Sequence, residues 1–335
     1  MNKKLLLCVL CLIFFSAAIS FSAPLIFKIG STAPSNSPWD KALKKIAADW
    51  KQITGGQVQM KIYPNSIAGD EPDMIRKMRF NSLQGATLSS IGLNMIATDV
   101  MSLSVPFIIR NDDEFDYVLS KIQPMLLEKM EKQGFKLIAW TMVGWVYFFS
   151  KEEVSNPSEL KRLKLAAGES NPANEQAWKA LGFDIIQVPL HEVLPALNSG
   201  MIEACYIVPL AAAAYQWFGV ANHMMDMPIS PVLGGIVVSE RAWNRVPDRY
   251  KEDLLQSAEE AADQLYYDTL ALEKDAMKIM LENGLITNPV TETEKEQWRN
   301  AFMEGFDLVV GKSFSKEIYE AILKHLEDYR KKYGG

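Results

Sequence analysis

Apolar residues follow two alternating rhythms along this chain of 335 residues. Leu25-Ile26-Phe27-Lys28-Ile29-Gly30 reads as a strand closed by a glycine turn. Ser37-Pro38 then opens a helix over 39–52, with Leu43, Ile46, Ala47 and Trp50 at helical spacing, and Thr54-Gly55-Gly56 stops it. Val58, Met60 and Ile62 alternate as a second strand up to Pro64-Asn65. Met74, Ile75 and Met78 mark a helix, 86–91 a third strand, 113–133 a long helix and 135–139 the strand after it. The rhythm restarts with a strand at 164–167, a helix over 174–181 and a strand at 184–188. A short helix over 191–199 and strands at 202–208 and 235–238 follow. The last third is helical, over 247–283, 292–310 and 315–332. Strand alternating with helix predicts an α/β fold with a largely parallel sheet. Ligands of such open sheets gather in the crevice at the carboxyl ends of the strands.

The first residues break this pattern. Met1 to Lys4 is basic, 5–15 is almost unbroken apolar sequence, and small and polar residues fill 16–23. That order predicts a signal peptide over 1–22, cut after Ser20 or Ser22, and a periplasmic location. The apolar run is about half of the roughly 20 residues that a membrane-spanning helix needs. An uncleaved anchor or a lipid on a cysteine are the alternatives, although Cys8 and Cys11 sit early in the run without small residues before them. Losing Lys3 and Lys4 moves the formal charge from −6 to −8. An acidic chain with scattered cations argues against nucleic acid, which needs a concentrated basic face. Cys205 is then the one remaining cysteine, so the fold rests on apolar burial without an internal disulfide. A mature chain of just over 300 residues is long for one core, and two domains are expected.

The sequence offers little for catalysis. His191, His223 and His325 lack metal-type spacing to each other or to cysteine. There is no G-x-S-x-G elbow, P-loop or G-x-G-x-x-G fingerprint. Gly234-Gly235 reads as a turn or hinge, Asp112-Asp113, Glu152-Glu153 and Glu259-Glu260 as solvated surface, and Cys205 as a core thiol. No enzyme, cofactor or metal is expected.

Several stretches in order resemble the substrate-binding proteins of tripartite ATP-independent periplasmic (TRAP) transporters, the DctP-like family. They are Ser37-Pro38-Trp39 with Ile53-Thr54-Gly55-Gly56-Gln57-Val58, then Asn65-Ser66-Ile67-Ala68-Gly69-Asp70-Glu71, and Ser104-Val105-Pro106-Phe107. Glu159-Leu160-Lys161-Arg162-Leu163-Lys164-Leu165, the run from Val188 to Gly200, and Val237-Val238-Ser239 with Trp243 and Val246-Pro247 complete the series. The resemblance implies a two-lobed periplasmic binding-protein fold, a cleft between the lobes, a long helix spanning both, and an extra C-terminal helix. It places lobe I at 24–143 and 234–273, lobe II at 144–233 and 274–312, and the C-terminal helix at 313–335. It also implies delivery to membrane permease subunits driven by an ion gradient.

The cleft departs from that family's pattern. Ala166 stands where acid-binding members carry a clamping arginine, Val146 where they carry a second, and Ser90 where some carry an acid. Glu203-Ala204-Cys205-Tyr206-Ile207-Val208-Pro209 replaces the family's "DG.enp" stretch. Without the guanidinium fork, an anionic headgroup forgoes charge-assisted bonds of roughly 1.5–3 kcal/mol each. A hydrophobic or amphipathic ligand is expected instead, against Trp39, Ser90, Trp145, Tyr147, Ala166, Leu190, Tyr206, Val208 and Trp217. The departure is similar to the TRAP subfamily that works with a tetratricopeptide-repeat (TPR) protein, an expected exported partner. The alternatives are an organic acid held by Lys164, Arg162, Arg110 or backbone amides, and a non-transporting scaffold or sensor.

Overall fold

The computed structural model describes residues 23–167, 178–306 and 309–334. The expected signal segment and the first half of the expected helix over 174–181 lie outside them. Ten strands form one continuous sheet: β1 (Leu25–Gly30), β2 (Val58–Tyr63), β3 (Gly85–Ser89), β4 (Phe135–Ser150), β5 (Lys164–Ala167), β6 (Asp184–Gln187), β7 (Ala204–Ile207), β8 (His223–Met225), β9 (Ser230–Ser239) and β10 (Ile286–Asn288). The order is β2-β1-β3-β9-β4-β7-β5-β6, with β8 pairing β4 and β10.

The expectation of a largely parallel sheet needs correcting at its centre. β1–β2, β1–β3, β5–β6, β5–β7 and β8–β10 are parallel, but β4 and β9 run antiparallel to each other and to their sheet neighbours. β4 is also far longer than the strand expected at 135–139. Its first part pairs β9 as far as Val146, and its last residues, Tyr147 to Ser150, pair β7. One strand thereby belongs to both halves of the sheet. Its ladder with β9 shifts between Met142 and Gly144, and Gly144 has φ of +137°. A Cβ there would sit 3.0 Å from Glu273 Oε2. Gly144→Ala is therefore expected to cost about 1–3 kcal/mol of stability, measurable by denaturant unfolding.

Local signals set the main helices. Helix α1 (Pro38–Ile53) begins at Ser37, whose hydroxyl accepts from Asp40 N, and it buries Leu43, Ile46 and Trp50. Helix α2 (Glu71–Arg79) is capped by Asp70. The third strand stops at Ser89 and not at Ile91, because Ser89 caps helix α3 (Ser90–Ile96) while Glu71 accepts from its amide and hydroxyl. Helix α4 (Asp112–Lys132) has the Asn111 cap, three acids in its first turn and two lysines in its last, matching its dipole. Helices α5 (Val193–Ser199), α6 (Asp248–Glu282), α7 (Glu292–Phe306) and α8 (Lys316–Tyr333) follow, with shorter helical turns at Pro157–Leu160, Pro209–Ala214 and Glu240–Trp243.

Leu254, Ala258 and Ala261 of α6 join a core with β1 and α1, where Trp50 Nε1 donates to Leu254 O at 3.1 Å. Met280, near the other end of α6, joins a separate core with Phe149, Ala166, Val193 and Trp217. The helix therefore spans both halves. A third core runs through both on the other face of the sheet, and α8 packs there through Ile318, Ile322 and Leu326. Arg330 fixes the end of α8, donating from Nε and Nη2 to the two carboxylate oxygens of Glu114, each at 2.7 Å.

Candidate functional site

A cavity of about 260 Å³ opens between the two halves of the sheet. Ser90 begins α3, Val146 lies on β4, Tyr206 on β7 and Ser230 to Val232 on β9, and these converge on it. Met101, Ser104, Pro106, Trp178 and Phe302 close the remaining walls. Among the described residues, no lining residue carries a charge. Its polar groups are the hydroxyls of Ser90, Ser104 and Ser230 and the phenol of Tyr206, with Ser104 donating to Pro231 O at 3.1 Å. Burial raises the Tyr206 pKa, which keeps the phenol neutral.

The register of β4 with β7 explains Tyr206, which lies opposite Phe148 and meets it edge-on. Trp178 stacks on Tyr206 with centroids 5.8 Å apart and rings 20° from parallel. Behind them, Trp298 stacks on Phe148 at 5.4 Å and packs beside Phe107, Phe183 and Phe302. The cavity wall is thus the front of a rigid aromatic cluster.

Among the residues expected at the ligand, Ser90 and Tyr206 line this cavity, and so does Val146 at the missing-arginine position. Trp39 lines a different cavity with Thr32, Thr87, Ser89 and Val143. Trp145 turns its Nε1 to Asp112 Oδ1 at 2.7 Å. Half-buried Tyr147 has its pKa pushed up to about 12, first by burial and then by Glu273, Asp226 and Asp112. Val208 is buried beside Gly144. Trp39, Trp145, Tyr147 and Val208 are thus not in the lining, and neither are the remaining three. Ala166, central between β6 and β7, is packed into a core with Val188 and Phe149. Trp217 is buried in that same core and stacks on Tyr215. Leu190 opens a single 3-10 turn and is 51% exposed.

Sequence reading missed Trp178, Met101, Ser230 and Phe302. Ser104 could have been found, since it begins the family-like Ser104-Val105-Pro106-Phe107 stretch. Phe302 comes from a helix about 100 residues beyond β7 and carries no local sign of facing the cavity.

None of the alternative cations reaches the lining. Arg162 and Lys164 are exposed, and Arg110 is half-buried elsewhere with its pKa lowered by burial and by Arg330 and Arg299. Burial pushes the Cys205 thiol up to about 12, far from a reactive thiolate. Among the described residues no group of three or more His, Cys, Asp or Glu could hold a metal, and no helix is long and apolar enough to cross a membrane.

Two lobes on a shared sheet, with a cavity where they meet whose described lining is uncharged, fit a protein that captures a solute between its lobes. Residues 29–313 match the model of the bacterial extracellular solute-binding proteins, family 7, and the chain belongs to that family, whose members bind solutes for transporters and are not enzymes. The 2,3-diketo-L-gulonate-binding periplasmic protein YiaO of Escherichia coli is 25% identical over 284 residues, 83% of each chain. The C4-dicarboxylate-binding periplasmic protein DctP of Rhodobacter capsulatus is 21% identical, over 84% of this chain and 86% of its own. An uncharacterized Haemophilus influenzae protein is 28% identical over 184 residues, and that match spans 56% of its length. A TRAP periplasmic solute-binding protein from Chromohalobacter salexigens with bound D-glucuronate superposes with a TM-score of 0.77 at 20% identity, over 90% of this chain and 99% of that one. One from Ochrobactrum anthropi reaches 0.83 at 18% identity, over 92% and 97%. At these identities the structural likeness establishes the two-lobed fold.

Proposed function

We propose that this chain captures an uncharged hydrophobic or amphipathic small molecule between its lobes and delivers it to the permease of a TRAP-type transporter. The uncharged lining at Ser90, Val146 and Tyr206 carries this reading. Burying about 200 Å² of apolar ligand surface contributes roughly 5 kcal/mol. Burying a carboxylate there without a cation costs several kcal/mol and cancels that gain. We further propose export by the segment over 1–22, a TPR-repeat protein as partner, and the lobe boundaries expected from sequence. The boundaries are supported by Gly144, at one expected crossing, which pairs with Val232 and lies close to Glu273, residues at or next to the other two.

Native mass spectrometry after refolding with a lipid extract tests the ligand class. A retained neutral or amphipathic molecule is expected, with no retention of D-glucuronate offered at equal concentration. Tight D-glucuronate binding would instead favour the organic-acid reading, which the acids named for YiaO and DctP support. Val146→Arg places a guanidinium in the cavity. It is expected to weaken binding of a neutral fluorescent probe such as Nile red at least about tenfold, since a buried unpaired charge costs several kcal/mol. Unchanged probe affinity would place binding elsewhere.

A further inference from the structure

The junction beside β4 contains a carboxyl group that is not among the cavity's described lining. Glu273 lies on α6 between Ala262, which packs in one core, and Met280, which packs in another. Its Oε2 is buried and has no hydrogen-bond partner among the described residues. The same oxygen lies 3.0 Å from the place a Cβ on Gly144 would occupy, and Val208 Cγ1 lies 3.8 Å from that place on another side. Only a glycine lets β4 approach the carboxyl this closely, and its φ of +137° is one that glycine tolerates.

The surroundings hold acids and phenols. Asp112, at the start of α4, is the charged neighbour that acts on Glu273. Both Asp112 oxygens are already taken, Oδ1 by Trp145 Nε1 of β4 and Oδ2 by the Tyr266 hydroxyl of α6 at 2.6 Å. Asp116 on α4 feels Asp112, Asp113 and Asp263. Tyr147 of β4 feels Glu273 together with Asp226, which lies between β8 and β9. Val208 and the short helix Pro209–Ala214 contribute no titratable side chain. Lys274, the adjacent cation on α6, is exposed and does not act on Glu273. Burial first, and Asp112 second, push the Glu273 carboxyl up to about 7.

We infer that Glu273 is a protonation-controlled latch at the hinge: its neutral form allows the close packing of β4, α4 and α6, and its ionisation drives the lobes to a different relative arrangement. This rests on the two-lobed fold and not on the chemistry of the bound solute. An ionised Glu273 in the packed junction would face Asp112 without a counter-ion, so the carboxylate favours an arrangement in which water reaches it. The sign follows from proton linkage. The packed arrangement binds the proton more tightly, so it is favoured fully below the ordinary glutamate pKa and loses ground as pH rises through about 7. Across that window the ratio of the two arrangements falls on the order of 100-fold.

Spin labels on the full mature chain test this without any solute. Ile67→Cys lies just beyond β2 and Met201→Cys just before β7, both well exposed, while native Cys205 is buried and unreactive. Pulsed dipolar spectroscopy from pH 4.5 to pH 8 is expected to show the interlobe distance distribution shifting with pH. In the Glu273→Gln background the distribution should stay at its low-pH form throughout. An identical pH response in both backgrounds, or none in the native junction, overturns the inference. Carbon-13 NMR of the Glu273 carboxyl in the native protein gives an independent reading. A midpoint near 7 supports the latch, and a midpoint below about 5 overturns it.

Discussion

Trp298→Ala is expected to lower stability by about 3–5 kcal/mol and the melting temperature by on the order of 10 °C. Trp298 is fully buried, its Nε1 donates to Ser155 O at 2.8 Å, and its ring supports Phe107, Phe148, Phe183 and Phe302. Alanine would leave both a hole and an unpaired carbonyl. Phe302 also lines the cavity, so the same change is expected to weaken Nile red binding in molecules that remain folded. Trp298→Phe keeps most of the ring volume and should cost well under half as much. Differential scanning calorimetry and a probe titration below the melting range check both parts. Equal losses for the two variants would show that the indole hydrogen bond, and not ring packing, sets the stability of the cluster.

Glu114→Ala is the second large effect. The Glu114 side chain is 2% exposed, receives the Arg330 fork, and accepts from the Arg110 amide at 3.0 Å. Removing it strands a guanidinium that is itself three-quarters buried, at a cost of about 3–5 kcal/mol. The loss should fall on the C-terminal helix first. Limited proteolysis is expected to cut within α8 well before global unfolding in the variant and together with it in the native protein. Arg330→Ala leaves the acid able to recruit water and should cost less. Cleavage of α8 at an unchanged rate in Glu114→Ala would show that apolar packing through Ile318, Ile322 and Leu326 holds the helix alone.

Elements governed by local chemistry were legible in the sequence. Ser37 announces its helix because capping requires its side chain there, and Asp70 and Asn111 cap the helices that apolar spacing and the run over 113–133 mark. The second half of β4 was not legible, because Gly144 reads as a break when it is in fact a sharp approach within a continuing strand. The antiparallel course of β9 was equally hidden, since a strand's direction depends on a partner about 90 residues earlier. Ser90 and Tyr206, expected at the ligand because they stand at strand ends where the family pattern departs, both line the cavity. Trp217 and Ala166 pack in a core outside that lining, which their sequence does not show, because apolar residues on a strand or turn look alike whether they face a core or a cleft. Trp178 and Phe302 reach the cavity through tertiary packing alone.

The shared strand has a consequence for the order of assembly. β3 needs β9 as its neighbour, and the register joins Gly85 to Val238 across more than 150 residues of chain. A polypeptide appearing from its amino end therefore presents β1, β2 and β3 with one flank of the ladder open until nearly three-quarters of it has emerged. Contacts this distant in sequence slow folding, and an open strand edge invites pairing with other chains. Neither half of the sheet can mature as an early, self-sufficient fragment. The two lobes complete their folding together, and the chain's most vulnerable interval is the one before Ser230–Ser239 arrives.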